Sequence, residues 1–92
     1  MTEQLHRELR IADEFIYGLS EIRSASLRER IRNLLHSIEK YPEMGSPDVR
    51  RSLVEQYGDG LRKIAVSTFV IIYRVTDEAV EVLALVAGPT IT

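Results

Sequence analysis

An α+β fold follows from three features of the sequence: an N-terminal strand, then an antiparallel helical hairpin packed on a mainly antiparallel sheet of about four strands. Before Pro42 the apolar residues recur at helical spacing, and after Arg50 they become dense and β-branched. The strand segments of the second half are separated by two or three residues, which permits only antiparallel hairpins. A chain of 92 residues predicts one domain over 1–92, near the small end of what buries a core unaided.

The elements can be justified in order. Leu5, Arg7, Leu9 and Ile11 alternate with His6, Glu8 and Arg10, which predicts a short first strand over Leu5 to Ile11; a helix running into the next segment is the rival reading. Asp13 is placed to cap a short amphipathic helix whose stripe is Ala12, Phe15, Ile16, Leu19 and Ile22, with Gly18 a slight weakness. Ser24-Ala25-Ser26 interrupts the pattern. Ser26-Leu27-Arg28-Glu29 has the spacing of a capping box, opening a second helix with Leu27, Ile31, Leu34, Leu35, Ile38 and Tyr41 on one stripe. Pro42 ends it, because the residue before a proline avoids the helical region. Pro42 to Asp48 is rich in turn formers. Four strand segments are then expected: Val49 to Tyr57, the weakest, and Leu61 to Val66, Phe69 to Val75 and Ala79 to Val86, with Gly58-Asp59-Gly60 a turn between the first two.

Taking Ser67-Thr68 and Asp77-Glu78 as two-residue loops sets the register. Arg62 then faces Tyr73, and Arg74 faces Glu81. One face collects Ile64, Val66, Phe69, Ile71, Val80, Val82, Ala84 and Val86, with Arg62 and Tyr73 at one end, and should receive the helices. The other collects Ala65, Val70, Ile72, Leu83 and Leu85 among Lys63, Arg74 and Glu81. No further element is apparent to cover this second face. An apolar face fringed by charge marks a protein partner or a self-association surface, so a homodimer enters the candidates. The alternative is that Gly88 to Thr92, or a bent first strand, folds over it.

Composition excludes several classes. The chain is 45% hydrophobic and 28% charged, which is globular rather than disordered. It has no cysteine, so disulfides and thiol nucleophiles are out, and a reducing cytoplasm fits. Neither a membrane span nor a signal peptide is expected, since no apolar run is long enough and no charged n-region precedes one. A net charge of -2 argues against a protein that coats nucleic acid. His6 and His36 have no carboxylates at ligand spacing, so neither a metal nor any cofactor is expected. No nucleophile elbow and no phosphate-cradling glycine loop is present.

Tyr41 to Gly45, Gly60 to Lys63, Phe69 to Val75 and Ala79 to Leu85 are four stretches that together, in this order, resemble those of the ParE/RelE toxin superfamily of plasmid-stabilisation systems. Tyr41-Pro42-Glu43-Met44-Gly45 is similar to the aromatic-Pro-x-x-Gly loop after the second helix of ParE-type sequences. Gly60-Leu61-Arg62-Lys63 is similar to their Gly-Leu-Arg strand start. Phe69-Val70-Ile71-Ile72-Tyr73-Arg74-Val75 is similar to their aromatic-x-Ile-Tyr-Arg-Val strand, and Ala79 to Leu85 to their closing apolar strand. The resemblance implies the toxin of a type II toxin–antitoxin addiction module, neutralised by an antitoxin that wraps it with a helix and an extended segment. Its ParE branch poisons DNA gyrase by protein binding. Its RelE branch cuts messenger RNA in the ribosome with cations on the central strands and near the C-terminus, which stabilise the charge that develops at the phosphate.

The departures choose between the branches. The basic position expected on the central strand is Val70, and the end reads Ala87-Gly88-Pro89-Thr90-Ile91-Thr92, without base, acid or cation. The nuclease set is thus incomplete, and the ParE-like reading leads. The tail also departs from the His or Arg residues that commonly close ParE-type sequences, so a degenerate, non-toxic, antitoxin-binding member is a third reading. If the chain is a nuclease, the catalytic candidates are Arg62, Lys63, Tyr73 and Arg74. The candidates for antitoxin or target binding are Arg62, Lys63, Val70, Ile72, Arg74, Leu83 and Leu85. Each has a structural counterpart: Arg62 as a contact of Tyr73 across the hairpin, Arg74 as an ion pair with Glu81, Lys63 as a solvated lysine, and Tyr73 as a core residue with its hydroxyl near the rim. Arg28, Arg30 and Arg32 read as a solvated helix face.

Overall fold

The computed structural model describes residues 7–88, with elements in the order β1 (Glu8–Ile11), α1 (Asp13–Ser20), α2 (Ala25–Lys40), a 3-10 turn (Pro42–Met44), α3 (Arg51–Tyr57), β2 (Leu61–Val66), β3 (Phe69–Val75) and β4 (Ala79–Ala87). The sheet runs β1-β4-β3-β2. β2, β3 and β4 form the expected antiparallel hairpins, and β1 lies parallel to β4, pairing Glu8 with Ala79 through Ile11 with Val82. Leu5 and His6, the start of the expected first strand, lie outside the described residues.

Both helices are capped differently from expectation. Asp13 is the first residue of α1 rather than its cap; Ala12 is the N-cap and makes no side-chain cap bond. Asp13 and Glu14 still sit in the first turn, where negative charge opposes the positive end of the helix dipole. In α2 the cap is Ser24, whose hydroxyl accepts from the Leu27 amide at 3.1 Å. Ser26 instead meets the Ser24 hydroxyl, and Glu29 pairs with Arg32 at 3.2 Å. Ser24 wins because its oxygen stands three residues ahead of a free first-turn N–H, the geometry a capping oxygen requires. Arg28 is not simply solvated, for its guanidinium donates to the Ile22 carbonyl between the helices.

Phe15, Ile31, Ile38, Ile71, Tyr73, Val80 and Val82 are completely buried where the helices meet one sheet face. Each such side chain contributes about 1.5–3 kcal/mol by leaving water. Two residues of the expected stripes lie outside this core: Ile16 is 52% exposed and Tyr41 63%. α1 is only eight residues long, so its buried arc narrows to Phe15 and half-buried Leu19. Tyr41 is already at the end of α2, in non-helical backbone at φ -130, ψ 74.

The second face differs most from expectation. Arg51–Tyr57 is a helix, not a strand. Leu53, Val54 and Tyr57 fall on one side at i, i+1 and i+4, while Arg51, Ser52, Glu55 and Gln56 face water, a pattern that a period of two does not fit. α3 covers the face expected to be bare. With Val49 it packs Leu53, Val54 and Tyr57 on a second cluster formed by Leu61, Ile72 and Ala84, joined by Val70, Leu83 and Val86.

The membership of the two faces also shifts. Ile72 pairs with Ala84 but Tyr73 pairs with Val82, so Leu83 is an extra residue in β4. This bulge reverses alternation beyond it. Ala84 and Val86, expected under the helices, join the α3 side, and Leu85 turns to the helical side beneath Gly18.

Candidate functional site

Arg62 and Tyr73 are register partners on the helical face, as are Arg74 and Glu81 on the α3 face, so the assumed hairpin loops place both pairs correctly. Alternation along β3 sends Tyr73 and Arg74 to opposite faces. The four residues that could serve a nuclease therefore do not converge on one point.

Tyr73 is fully buried, not at the rim. Its hydroxyl donates to the Pro42 carbonyl at 2.7 Å and accepts from the Gly45 amide at 2.9 Å. Burial raises its pKa above the ordinary tyrosine value, opposed by the Gly45 hydrogen bond and the Arg62 charge and helped by the Glu43 charge. Arg62 completes the arrangement by donating to the carbonyls of Gly45 and Glu43. It contacts the loop that Tyr73 holds rather than acting alone across the hairpin. Gly45 has extended backbone at φ -80, ψ 161, so it is not there for conformational freedom. A Cβ at this position would lie 2.5 Å from the Tyr73 hydroxyl. The loop Tyr41-Pro42-Glu43-Met44-Gly45 is thus an attachment point: buried Pro42 supplies the carbonyl, and Gly45 the amide and the space.

Next to it, Ser46 and Lys63 exchange two backbone hydrogen bonds of 2.9 Å on the outer edge of β2. Lys63 is half-buried opposite Ile72, and its ammonium has no partner among the described residues.

Arg74 links three elements. Its Nε lies 3.2 Å from Glu81, and its Nη1 donates to the Tyr57 carbonyl at 2.7 Å and more weakly to Asp59 at 3.4 Å. A cation on the terminal carbonyls of α3 satisfies groups that the helix leaves open. Gly58 and Gly60, at φ +98 and +82, turn the chain from there into β2. At the same end, the Tyr57 hydroxyl donates to Glu14 of α1 at 2.8 Å.

Of the binding candidates, Val70 and Leu83 are half-buried on the α3 face, Ile72 is wholly buried there, and Leu85 is on the other side. Among the described residues the exposed large apolar side chains are Ile16, Tyr17, Tyr41 and Met44. Ile16 and Tyr41 were hidden from a periodicity count because they continue apolar stripes. Met44 lay in the loop motif, where its position after Pro42 was the available signal.

A shallow groove of about 350 Å³ lies between α2 and β2, lined by Arg30, Asn33, Leu34, Ser37, Ala65 and Val66, and another of about 280 Å³ by Arg10, Ile11, Ala12, Glu81, Val82 and Leu83. Neither joins a nucleophile to a base. Among the described residues no three His, Asp or Glu side chains cluster as metal ligands, and no helix is long and apolar enough to cross a membrane.

Comparison with known proteins gives two likenesses. The family model described as the ParE toxin of the type II toxin-antitoxin system, parDE, matches residues 1–88. A chain of the crystal structure of the intact E. coli RelBE toxin-antitoxin complex superposes with a TM-score of 0.63 at 17% identity, covering 88% of this chain and 95% of that one. At this identity the second likeness concerns the fold alone. No curated protein matches the sequence.

Proposed function

This chain belongs to the ParE toxin family of type II toxin–antitoxin systems, and from that premise we propose that it acts by binding a target protein rather than by cutting RNA, with DNA gyrase the target its family branch implies. The observation that carries this reading is how the catalytic candidates are occupied. Tyr73 is buried with its hydroxyl bonded twice, Arg62 is spent on two loop carbonyls, and Arg74 is spent on Glu81 and the end of α3. Ribonuclease chemistry needs cations converging on a phosphate. Among the described residues, Lys63 is the one of the four whose polar group has no partner, and Val70 is a hydrocarbon where the central strand would carry a cation.

The same reading gives the chain a cognate antitoxin, in keeping with the toxin-antitoxin complex it resembles. Its contacts fall on exposed apolar side chains, Ile16 and Tyr17 on α1 and Tyr41 and Met44 beyond α2, and on Lys63, Val70 and Leu83. Large apolar groups exposed in this way favour a protein partner.

The test is a supercoiling assay with purified gyrase, alongside growth after induction with and without the neighbouring small gene. Growth arrest relieved by that gene, together with inhibited supercoiling, supports the proposal. Unaffected gyrase at saturating protein refutes the target. Codon-phased messenger RNA cuts in primer extension would install the ribosome-dependent endoribonuclease reading instead. Harmless expression of folded protein would install the degenerate, antitoxin-binding one.

A further inference from the structure

We infer that α3 is a hinged strap that opens as a unit while the sheet beneath it stays folded, with the Tyr57–Glu14 hydrogen bond as its latch. The inference does not depend on which target the toxin meets.

α3 has seven residues, none of them fully buried. A two-turn helix is too short to persist on its own, so it is held by what it touches. Its floor is far better buried than the strap itself: Leu61 is 3% exposed, Ile72 0% and Ala84 1%, whereas Leu53, Val54 and Tyr57 are half-exposed. Lifting α3 gives up the partial burial of its three side chains and uncovers Leu61, Ile72 and Ala84, while β3 and β4 keep their pairing and the whole helical face of the core.

Two polar attachments lie at the C-terminal end of α3. The Tyr57 hydroxyl bonds Glu14 of α1 at 2.8 Å, in an exposed position, and Arg74 bonds the Tyr57 carbonyl at 2.7 Å. Immediately beyond lie Gly58 and Gly60, both in the left-handed region, where glycine moves with least hindrance. The other end follows Pro47-Asp48 and half-buried Val49. A short segment with no fully buried residue and with exposed polar attachments opens below the global free energy. The Glu14 contact spans two elements that are 43 residues apart in sequence. It is thus a fastening of α3 to the body rather than a feature internal to the helix.

Native-state hydrogen exchange of the full chain, resolved by mass spectrometry across low denaturant, tests this. Amides of α3 should exchange with a shallower denaturant dependence and a lower opening free energy than those of β3. Tyr57→Phe removes one exposed hydrogen bond and should accelerate α3 by about fivefold, leaving β3 unchanged. Glu14→Ala, on the exposed first turn of α1, reads the latch from its other side and should give the same selective change. The inference is overturned if α3 and β3 share one opening free energy in the wild type. It is equally overturned if both variants accelerate the two elements alike, or if neither variant changes α3.

Discussion

Gly45 and Tyr73 occupy space that only their combination allows: the Gly45 amide donates to the Tyr73 hydroxyl at 2.9 Å, and the missing Cβ of Gly45 would lie 2.5 Å from that oxygen. Gly45→Ala should therefore destabilise the fold by about 1–3 kcal/mol through overpacking. Tyr73→Phe should cost a similar ~1–3 kcal/mol, because it strands the Pro42 carbonyl and the Gly45 amide without a partner. Removing the hydroxyl also removes the closest clash, so the double variant should lose less than the sum of the two. Urea denaturation of all four proteins measures this coupling, and strict additivity would contradict the contact.

Arg74 should matter more than its ion pair. Arg74 and Glu81 are each 27% exposed, and a pair so near the surface contributes only about 0–1 kcal/mol. Arg74 also caps α3 through the Tyr57 carbonyl, so Arg74→Ala should cost about 1–3 kcal/mol while Glu81→Ala stays under about 1 kcal/mol. Equal losses in a denaturation series would reduce Arg74 to its ion pair.

The distribution of these contacts explains what the sequence makes legible. Arg62 opposite Tyr73 and Arg74 opposite Glu81 followed from counting outward from two-residue loops, because hairpin geometry is local. The bulge at Leu83 was hidden because Val82-Leu83-Ala84-Leu85 is apolar throughout, and a run without alternation carries no register. Leu53, Val54 and Tyr57 did carry the helical spacing of α3, but β-branched Val49 and Val54 in a strand-rich half outweighed it. The site was legible as a set of residues and not as an arrangement. Sequence spacing placed Arg62 and Tyr73 together, yet the carbonyls of Pro42, Glu43 and Gly45 that occupy them come from a loop whose path no periodicity describes.

Alkaline pH should weaken the fold in a defined window. Tyr57 is pushed up to about 12 by burial, by its hydrogen bond to Glu14 and by the charge of that carboxylate, against an unfolded value near 10. A phenol whose folded pKa is raised holds its proton more tightly in the fold. Its stabilisation is complete below pH 10 and is lost as the pH climbs towards 12. Tyr73 is shifted in the same direction and adds the same sign. Urea midpoints should fall between pH 10 and 12, and Tyr57→Phe should flatten the decline without abolishing it. An unchanged slope in that variant would remove Tyr57 from the account.

The α3 face should behave as true core. Ile72 is completely buried between β3 and the α3 cluster, although the sequence pattern alone placed it on a face open to partners. Truncating a buried isoleucine removes its transfer free energy and leaves a cavity, typically about 2–5 kcal/mol together. Val70 lies on the same face but is only half-buried, so Val70→Ala should cost clearly less. If Ile72→Ala changes the unfolding free energy by under about 0.5 kcal/mol, as surface substitutions do, α3 does not seal this face in solution. A large loss at Ile72 with a small one at Val70 would confirm that the cover is real and ends between the two residues.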